Sequence, residues 1–501
     1  MRIQRLLMTL FGSAAMAGTA MAADLRIGLQ EDPDVLDPDQ SRTFVGRIVY
    51  TSLCDKLVDI TPELDYVPQL ATEWTWSDDG LELTMKLREG ATFHDGTPFN
   101  AEAVVANIER SQNLPESRRK SELASVAGIE ATSEFEVKFK LSAPDATLLA
   151  QLSDRAGMME SPKAQKEMGL DFANKPVCSG PYKFVERIQQ DRIVLEKFAE
   201  HWNADQFHFD KVTFLPIPDT TVRLANLQAG DIDMLERLAP TDAAAVKADS
   251  NLIYEQIVGL GYQGITVNIG NGARADNPMG KEAKLRQALS LAIDRNAINE
   301  VVFQGTASPG NQHVPPSSPW YVQAHPVQER DIEAAKALMT EAGVDRIEVE
   351  VQVANNPVQA QLMQVVQSMV AEAGFDVSLK AMEFASMLSE QTAGNYQLSQ
   401  VGWSGRTDPD GNIHQFVTCE GGINDSKYCN KEVDKLLNEA RQTNDVAVRK
   451  EKYAAAQDIL SEELPIIYLY HPSWIWALSN KIKGFVPYPD GMIRLAKVTK
   501  E

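Results

Sequence analysis

The sequence predicts a mixed α/β protein built from more than one lobe, and three observations carry that reading. Leu81, Leu83, Met85 and Leu87 alternate with Glu82, Thr84, Lys86 and Arg88, the period of a strand with one buried face. Asp78-Asp79-Gly80 and Glu89-Gly90 supply turns at its ends. After another turn at His94-Asp95-Gly96, Asn100 is placed to cap a helix through Val104, Val105 and Ile108. Farther on, Phe135, Val137, Phe139 and Leu141 repeat the strand pattern, whereas Leu285, Ala288, Leu289 and Ala292 share one helix face. Finally, 501 residues exceed what a single core holds, so at least two lobes are expected.

The first residues read as a targeting segment. Arg2 and Arg5 precede a short apolar run, Leu6 to Ala17, and Ala20-Met21-Ala22 forms a small-residue cleavage site. The run is too short to span a membrane. No cysteine near the cut invites a lipid anchor, so residues 1–22 are expected to be removed and the product exported in soluble form. The chain carries 70 acidic against 48 basic residues, a net charge of −22. That excess excludes nucleic acid and anionic membrane surfaces as partners. The run Glu31-Asp32-Pro33-Asp34 and the stretch Glu116 to Lys120 read as solvated surface. Four cysteines, Cys54, Cys178, Cys419 and Cys429, enter an oxidising compartment, where disulfides persist. Cys419 and Cys429 close a short polar loop that suits a local bridge, which leaves Cys54 for Cys178. There is no close Cys-x-x-Cys pair, so neither a metal site nor a cofactor is expected.

Several motifs in order resemble the bacterial family 5 extracellular solute-binding proteins, the peptide- and nickel-type receptors of ABC importers. Trp74 to Arg110 contains Trp, Asp-Gly, the alternating strand, Leu-Arg, Phe-His-Asp-Gly and a helix opening with Ala-Glu. Pro176 to Tyr182 resembles the family's Gly-x-Gly-Pro-Tyr turn, Gln228 to Asp233 its Gly-Glu-Ile-Asp segment, and Ala292-Ile293-Asp294-Arg295 a further match. The resemblance runs over the whole mature chain. It implies a two-lobed periplasmic-binding-protein fold with a hinge: lobe one at 23–260, an extra subdomain at about 47–173, lobe two at 261–481, and a return to lobe one at 482–501. It also implies a periplasmic, non-enzymatic, monomeric receptor that hands a small molecule or peptide to an inner-membrane permease.

Enzyme motifs fail on inspection. Gly259-Leu260-Gly261-Tyr262-Gln263-Gly264 has dinucleotide spacing but runs into a strand, Ile265 to Ile269, where a helix is required. Ser117 to Lys120 lacks the companion motifs of penicillin-recognising hydrolases, and Gly402 to Arg406 breaks the nucleophile elbow at Arg406. A secreted hydrolase therefore stands only as an alternative class. Asp408-Pro409-Asp410-Gly411-Asn412 lacks the alternating acids of a calcium loop and reads as a turn.

The resemblance places the ligand against the segment after Gly402-Trp403. Arg406 stands where peptide receptors often carry the aspartate that takes a free amine. Guanidinium suits carboxylate or phosphate and cannot take an ammonium. Either Asp408 assumes the amine role, or the ligand offers an anion to Arg406, or Arg406 pairs with Asp408 or Asp410. Trp403 offers an apolar clamp; Tyr262, Arg42, Thr43 and Phe44 complete the candidate wall. A di- or oligopeptide leads as ligand, followed by an anionic amino-acid or sugar conjugate (opine- or glutathione-like). A haem or nickel chelate ranks behind both.

Overall fold

Leu25, Ile27 and Leu29 are fully buried on strand Asp24–Leu29, and this strand lies at the middle of a seven-stranded sheet. The computed structural model describes residues 24–501, so the expected signal peptide lies outside the described residues. Across the sheet the strands run Leu252–Val258, Ser473–Ser479, Met234–Leu235, Asp24–Leu29, Lys211–Pro216, Arg192–Lys197 and Tyr182–Ile188. Asp24–Leu29 is parallel to Lys211–Pro216 and to Met234–Leu235. One core gathers its side chains with Val45, Ile48 and Val49 of helix Phe44–Leu53 and with Met492, Ile493 and Leu495 near the C-terminus.

A second, six-stranded sheet orders Ser308–Pro309, Ile466–His471, Tyr262–Val267, Leu398–Trp403, Ile347–Ala354 and Phe375–Met382. Ile347–Ala354 is parallel to both Phe375–Met382 and Leu398–Trp403. Helices Ala283–Leu291, Arg295–Phe303, Ile332–Glu341 and Pro357–Ala371 pack on it around Leu285, Ile298, Met339 and Val366. Every residue of Ile466–His471 is buried, consistent with a continuous apolar strand covered on both faces.

Residues 71–141 carry a third sheet. Strands Ala71–Trp76, Glu82–Leu87, Glu136–Leu141 and Val126–Ser133 make an antiparallel sheet. Leu83, Met85, Val137 and Phe139 face its core. Asn100 Oδ1 accepts from Ala103 N at 3.0 Å and caps helix Ala101–Asn113, a contact worth about 1 kcal/mol. This core runs from Leu57 to Met159. The expected span of 47–173 is thus too wide: Ile48, Val49, Tyr50 and Leu53 belong to the core of the first sheet.

The chain crosses between the two large sheets at 259–261 and returns at Pro472, because Ser473–Ser479 already pairs with Leu252–Val258. The expected return at 481–484 is therefore late by one strand. Its alternation had been hidden by a run of Trp474, Ile475, Trp476, Ala477 and Leu478, all buried. Disulfides join Cys54 to Cys178 and Cys419 to Cys429. Among the described residues no helix is long and apolar enough to cross a membrane.

Candidate functional site

The carboxyl ends of the parallel strands from both sheets converge on one cleft. Glu31, Pro218 and Arg237 each follow a parallel strand of the first sheet; Asn356, Phe384 and Ser404 each follow one of the second. All six line the cleft, as expected where open parallel sheets leave a crevice beyond their strand ends. This first chamber holds about 1320 Å³ of empty space, its open mouth included. Phe44, Trp403, Tyr470 and Trp474 give it apolar walls, and Gln263 and Gln400 give it amides. Phe44 and Trp474 stack at 4.3 Å, with the Arg237 guanidinium 4.6 Å over the Phe44 ring. A smaller second chamber of about 790 Å³ continues past Arg42, Phe384 and Trp403, which line both.

The acidic run after the first strand is not solvated surface. Asp34 accepts from Ser41 Oγ at 2.6 Å, Arg42 N at 2.7 Å and Thr43 Oγ1 at 2.8 Å, and Asp32 pairs with Arg187 at 3.0 Å. Those bonds turn the loop so that Glu31 faces the cleft. Its carboxyl makes no hydrogen bond among the described residues. Burial pushes it up to about 7; Arg237 opposes that rise, while Glu236, Glu383 and Asp34 add to it. Glu31 and Arg237 thus line one chamber, Arg237 with Glu236 at 3.4 Å beside it and its Nη1 donating to Gln30 Oε1 at 3.3 Å.

The sequence-predicted residues divide between cleft and interior. Trp403, Arg42 and Phe44 line the first chamber, and Tyr262 the second. Trp403 is fixed by Nε1 donating to Asn412 Oδ1 at 3.0 Å and by an edge contact with Phe416. Arg42 donates to Thr392 Oγ1 at 2.7 Å and to Asp425 at 3.2 Å, both from the opposite lobe. Thr43 is buried against Asp34 and is not in the wall.

Arg406 and Asp408 also leave the wall, each for an electrostatic reason. Arg406 is buried behind Trp403, its guanidinium 4.1 Å from the indole ring, and pairs with Asp154 of the first lobe at 2.5 Å. Its expected pairing with Asp408 or Asp410 does not form, since each of those carries a closer arginine. Arg449 grips Asp408 through two bonds of 2.6 and 2.9 Å, and Arg441 holds Asp410 at 2.5 Å. Asp408 lines neither chamber, and its charge is already matched by a bidentate arginine.

Among the described residues, one carboxylate cluster has metal-like spacing: Asp37, Asp39 and Glu160. Arg110 sits among all three, 2.6 Å from Asp37 and 3.1 Å from Glu160, so a guanidinium fills that place. Sequence reading also missed Glu31, Arg237 and the inward turn of the Glu116–Lys120 stretch. In that stretch Ser117 Oγ donates to the Ser111 carbonyl at 2.6 Å, which tucks Arg119 inside. Position just beyond a parallel strand was the one available signal for Glu31 and Arg237.

Two α/β lobes touching across an enclosed cleft define a solute-binding protein. The chain belongs to the bacterial extracellular solute-binding proteins, family 5, whose model matches residues 65–424. It is a transport binding protein, not an enzyme. It is 31% identical over 492 residues to the glutathione-binding protein GsiB of Shigella dysenteriae serotype 1 (strain Sd197), covering 95% of each chain. GsiB of Escherichia coli (strain K12) is 30% identical with the same coverage. Among solved structures, the receptor AgaA of A. tumefaciens R10, in complex with agropinic acid, superposes with a TM-score of 0.85 at 25% identity. That match covers 95% of this chain and 99% of AgaA. The dipeptide-binding protein of Pseudoalteromonas sp. SM9913, in complex with Met-Leu, gives a TM-score of 0.87 at 24% identity, covering 95% and 100%.

Proposed function

We propose that the chain is the periplasmic, monomeric receptor of an ABC importer, and that it captures a short peptide or amino-acid conjugate of glutathione size by its amino-acid head. The supporting observation is the Glu31–Arg237 pair: a carboxyl without a hydrogen bond and a guanidinium in one chamber. Together they match the ammonium and carboxylate borne on one carbon. Phe44 and Trp474 flank that end, and the amides of Gln263 and Gln400 offer directed contacts to the rest. Few polar groups among apolar walls is how enclosed clefts bind small solutes. Similarity to glutathione-binding proteins and to a receptor crystallised with agropinic acid agrees with the conjugate reading. Among the described residues no histidine lines either chamber, which disfavours a metal chelate held by the protein. Closure follows from contacts made only when the lobes meet, and the closed form is what the permease accepts.

Calorimetric titration with glutathione, Met-Leu and agropinic acid tests this. At least one should bind and return unaltered, and Glu31→Gln should weaken it by roughly tenfold or more, since a charged partner of the ammonium is lost. Full affinity in Glu31→Gln would overturn the head assignment; a chemically altered ligand would overturn the receptor itself.

A further inference from the structure

The second chamber has a charge composition that the amino-acid head does not use. Arg42, Arg118, Arg119 and Arg155 line it against two acids, Glu122 and Asp425. Directly behind them Arg47 and Arg406 share a single carboxylate, Asp154. Six arginines therefore face these three carboxylates, with Asp34 and Asp39 also acting on Arg118 and Arg119, in a region where Arg47, Arg119, Arg155 and Arg406 are each at most 5% exposed. Buried charge is expensive unless paired, so a net positive pocket of this kind is poised for an anion.

The hydrogen bonds point the same way. Arg119 and Arg155 each spend one Nη on the Ser41 carbonyl, at 3.3 and 2.7 Å, and Arg119 spends the other on Glu122. The Nε of both arginines stays buried with no hydrogen-bond partner, two donors against one buried, unpartnered carboxylate oxygen among the described lining residues, Glu122 Oε2. Arg118 lies at the chamber wall with its side chain largely exposed; partial desolvation, and then the neighbouring Arg42, weaken its hold on its proton. Burial, reinforced by Arg119, lowers Arg155 to about 10. An anion among them would relieve both the desolvation and the mutual repulsion.

We propose that the second chamber is an anion subsite, formed by Arg118, Arg119 and Arg155, that takes a second anionic group of the ligand at a distance from its amino-acid head. This rests on the amino-acid-conjugate reading above and narrows it: the solute carries two separated anionic groups, as a dicarboxylic conjugate does. A mono-anionic dipeptide of ordinary side chains leaves the chamber unsatisfied and binds more weakly.

Two probes test the chamber. Glutathione should bind the wild type roughly 30-fold or more tightly than glutathione amidated at its glycine carboxylate, because a buried charge partner is removed. In Arg118→Gln and Arg155→Gln that ratio should fall to about 2-fold or less. Arg118 is exposed and makes no side-chain hydrogen bond, so its variant tests the chamber even if Arg155→Gln fails to fold. Inorganic sulfate tests the subsite apart from the head: millimolar sulfate should raise the melting temperature of the wild type more than that of Arg118→Gln, at matched ionic strength. Equal affinity for free and amidated glutathione overturns the subsite. Equal sulfate responses in wild type and variant overturn it as well, whether or not glutathione binds. A sulfate difference without glutathione binding leaves the subsite standing and removes the glutathione-sized ligand instead.

Discussion

Asp154 and Arg406 come from opposite lobes and meet at 2.5 Å behind Trp403. The other oxygen of Asp154 accepts from Arg47 Nε of its own lobe at 3.0 Å. Burial alone would raise this carboxyl, but Arg406 and Arg47 outweigh it and hold Asp154 far below the usual carboxylate range. Arg47 also donates to Ser404 Oγ across the cleft at 3.0 Å, and Ala146 N reaches the Arg441 carbonyl at 2.9 Å. One carboxylate thus ties an arginine from each lobe across the cleft.

The latch makes a prediction. Asp154→Asn should shift the ligand-free protein toward open forms and enlarge its radius of gyration in small-angle scattering. Affinity should fall about 5- to 150-fold for ligands without a second anionic group, where only the closing equilibrium changes, and by less for dianionic ligands, because Asp154 no longer offsets the arginines of the second chamber. A loss confined to amine-bearing ligands and absent for their N-acetylated forms would mean that Asp154 itself reaches the ligand.

Glu31 gives the pH dependence its sign. With the carboxyl pushed up to about 7, it is largely neutral at pH 6 and ionised at pH 8. The groups facing it are Arg237, which favours ionisation, and Glu236, Glu383 and Asp34, which oppose it. An ammonium binds the ionised form, so affinity for amine-bearing ligands should rise between pH 6 and 8, by at most about tenfold per unit. Binding should also release protons, measurable as a buffer-dependent heat. Glu31→Gln should flatten both effects; a wild-type profile already flat over this range would remove Glu31 from the head site.

Asp408 and Arg449 form a buried bidentate pair, with Arg449 also donating to Tyr453 Oη at 3.1 Å. Breaking one partner strands the other, which typically costs about 3–5 kcal/mol. Asp408→Ala should lower the melting temperature markedly while keeping the preference for amine-bearing over N-acetylated ligands. Loss of that preference in the folded variant would restore Asp408 as the amine partner.

These residues also mark where sequence reasoning stopped. The strand at Leu83 and Met85, the Asn100 cap and the helix at Leu285 were legible because each depends on neighbours within a turn or two. Trp403 was legible through a motif. The meeting of Glu31 and Arg237 in one chamber was not: they come together only because the strands ending at Leu29 and Leu235 run parallel in register, with Gly28 opposite Leu235. Local periodicity carries no information on that pairing. Arg406 was misread for a related reason. Its partner, Asp154, lies in another lobe, while nearer acids in sequence had closer cations on the helices that pack against them.

Gly261 offers a last test, at the crossing between lobes. A Cβ there would lie 1.8 Å from the Trp403 carbonyl oxygen and 2.6 Å from the Ser404 carbonyl carbon, both backbone. Glycine is required by this close approach, which lets Tyr262 pair with Trp403 at the start of the second lobe's strand. The Gly259 position is looser, with the Pro472 oxygen and Trp474 Nε1 each at 2.8 Å. Gly261→Ala must therefore push the strand carrying Trp403 away from its neighbour, at a cost of about 3 kcal/mol. Because Trp403 lines both chambers, affinity should fall together with the melting temperature. Gly259→Ala should show a smaller loss of both, since its nearest backbone atom lies at 2.8 Å and not at 1.8 Å. If Gly261→Ala melts and binds like the wild type, the two crossings do not hold the cleft wall in place.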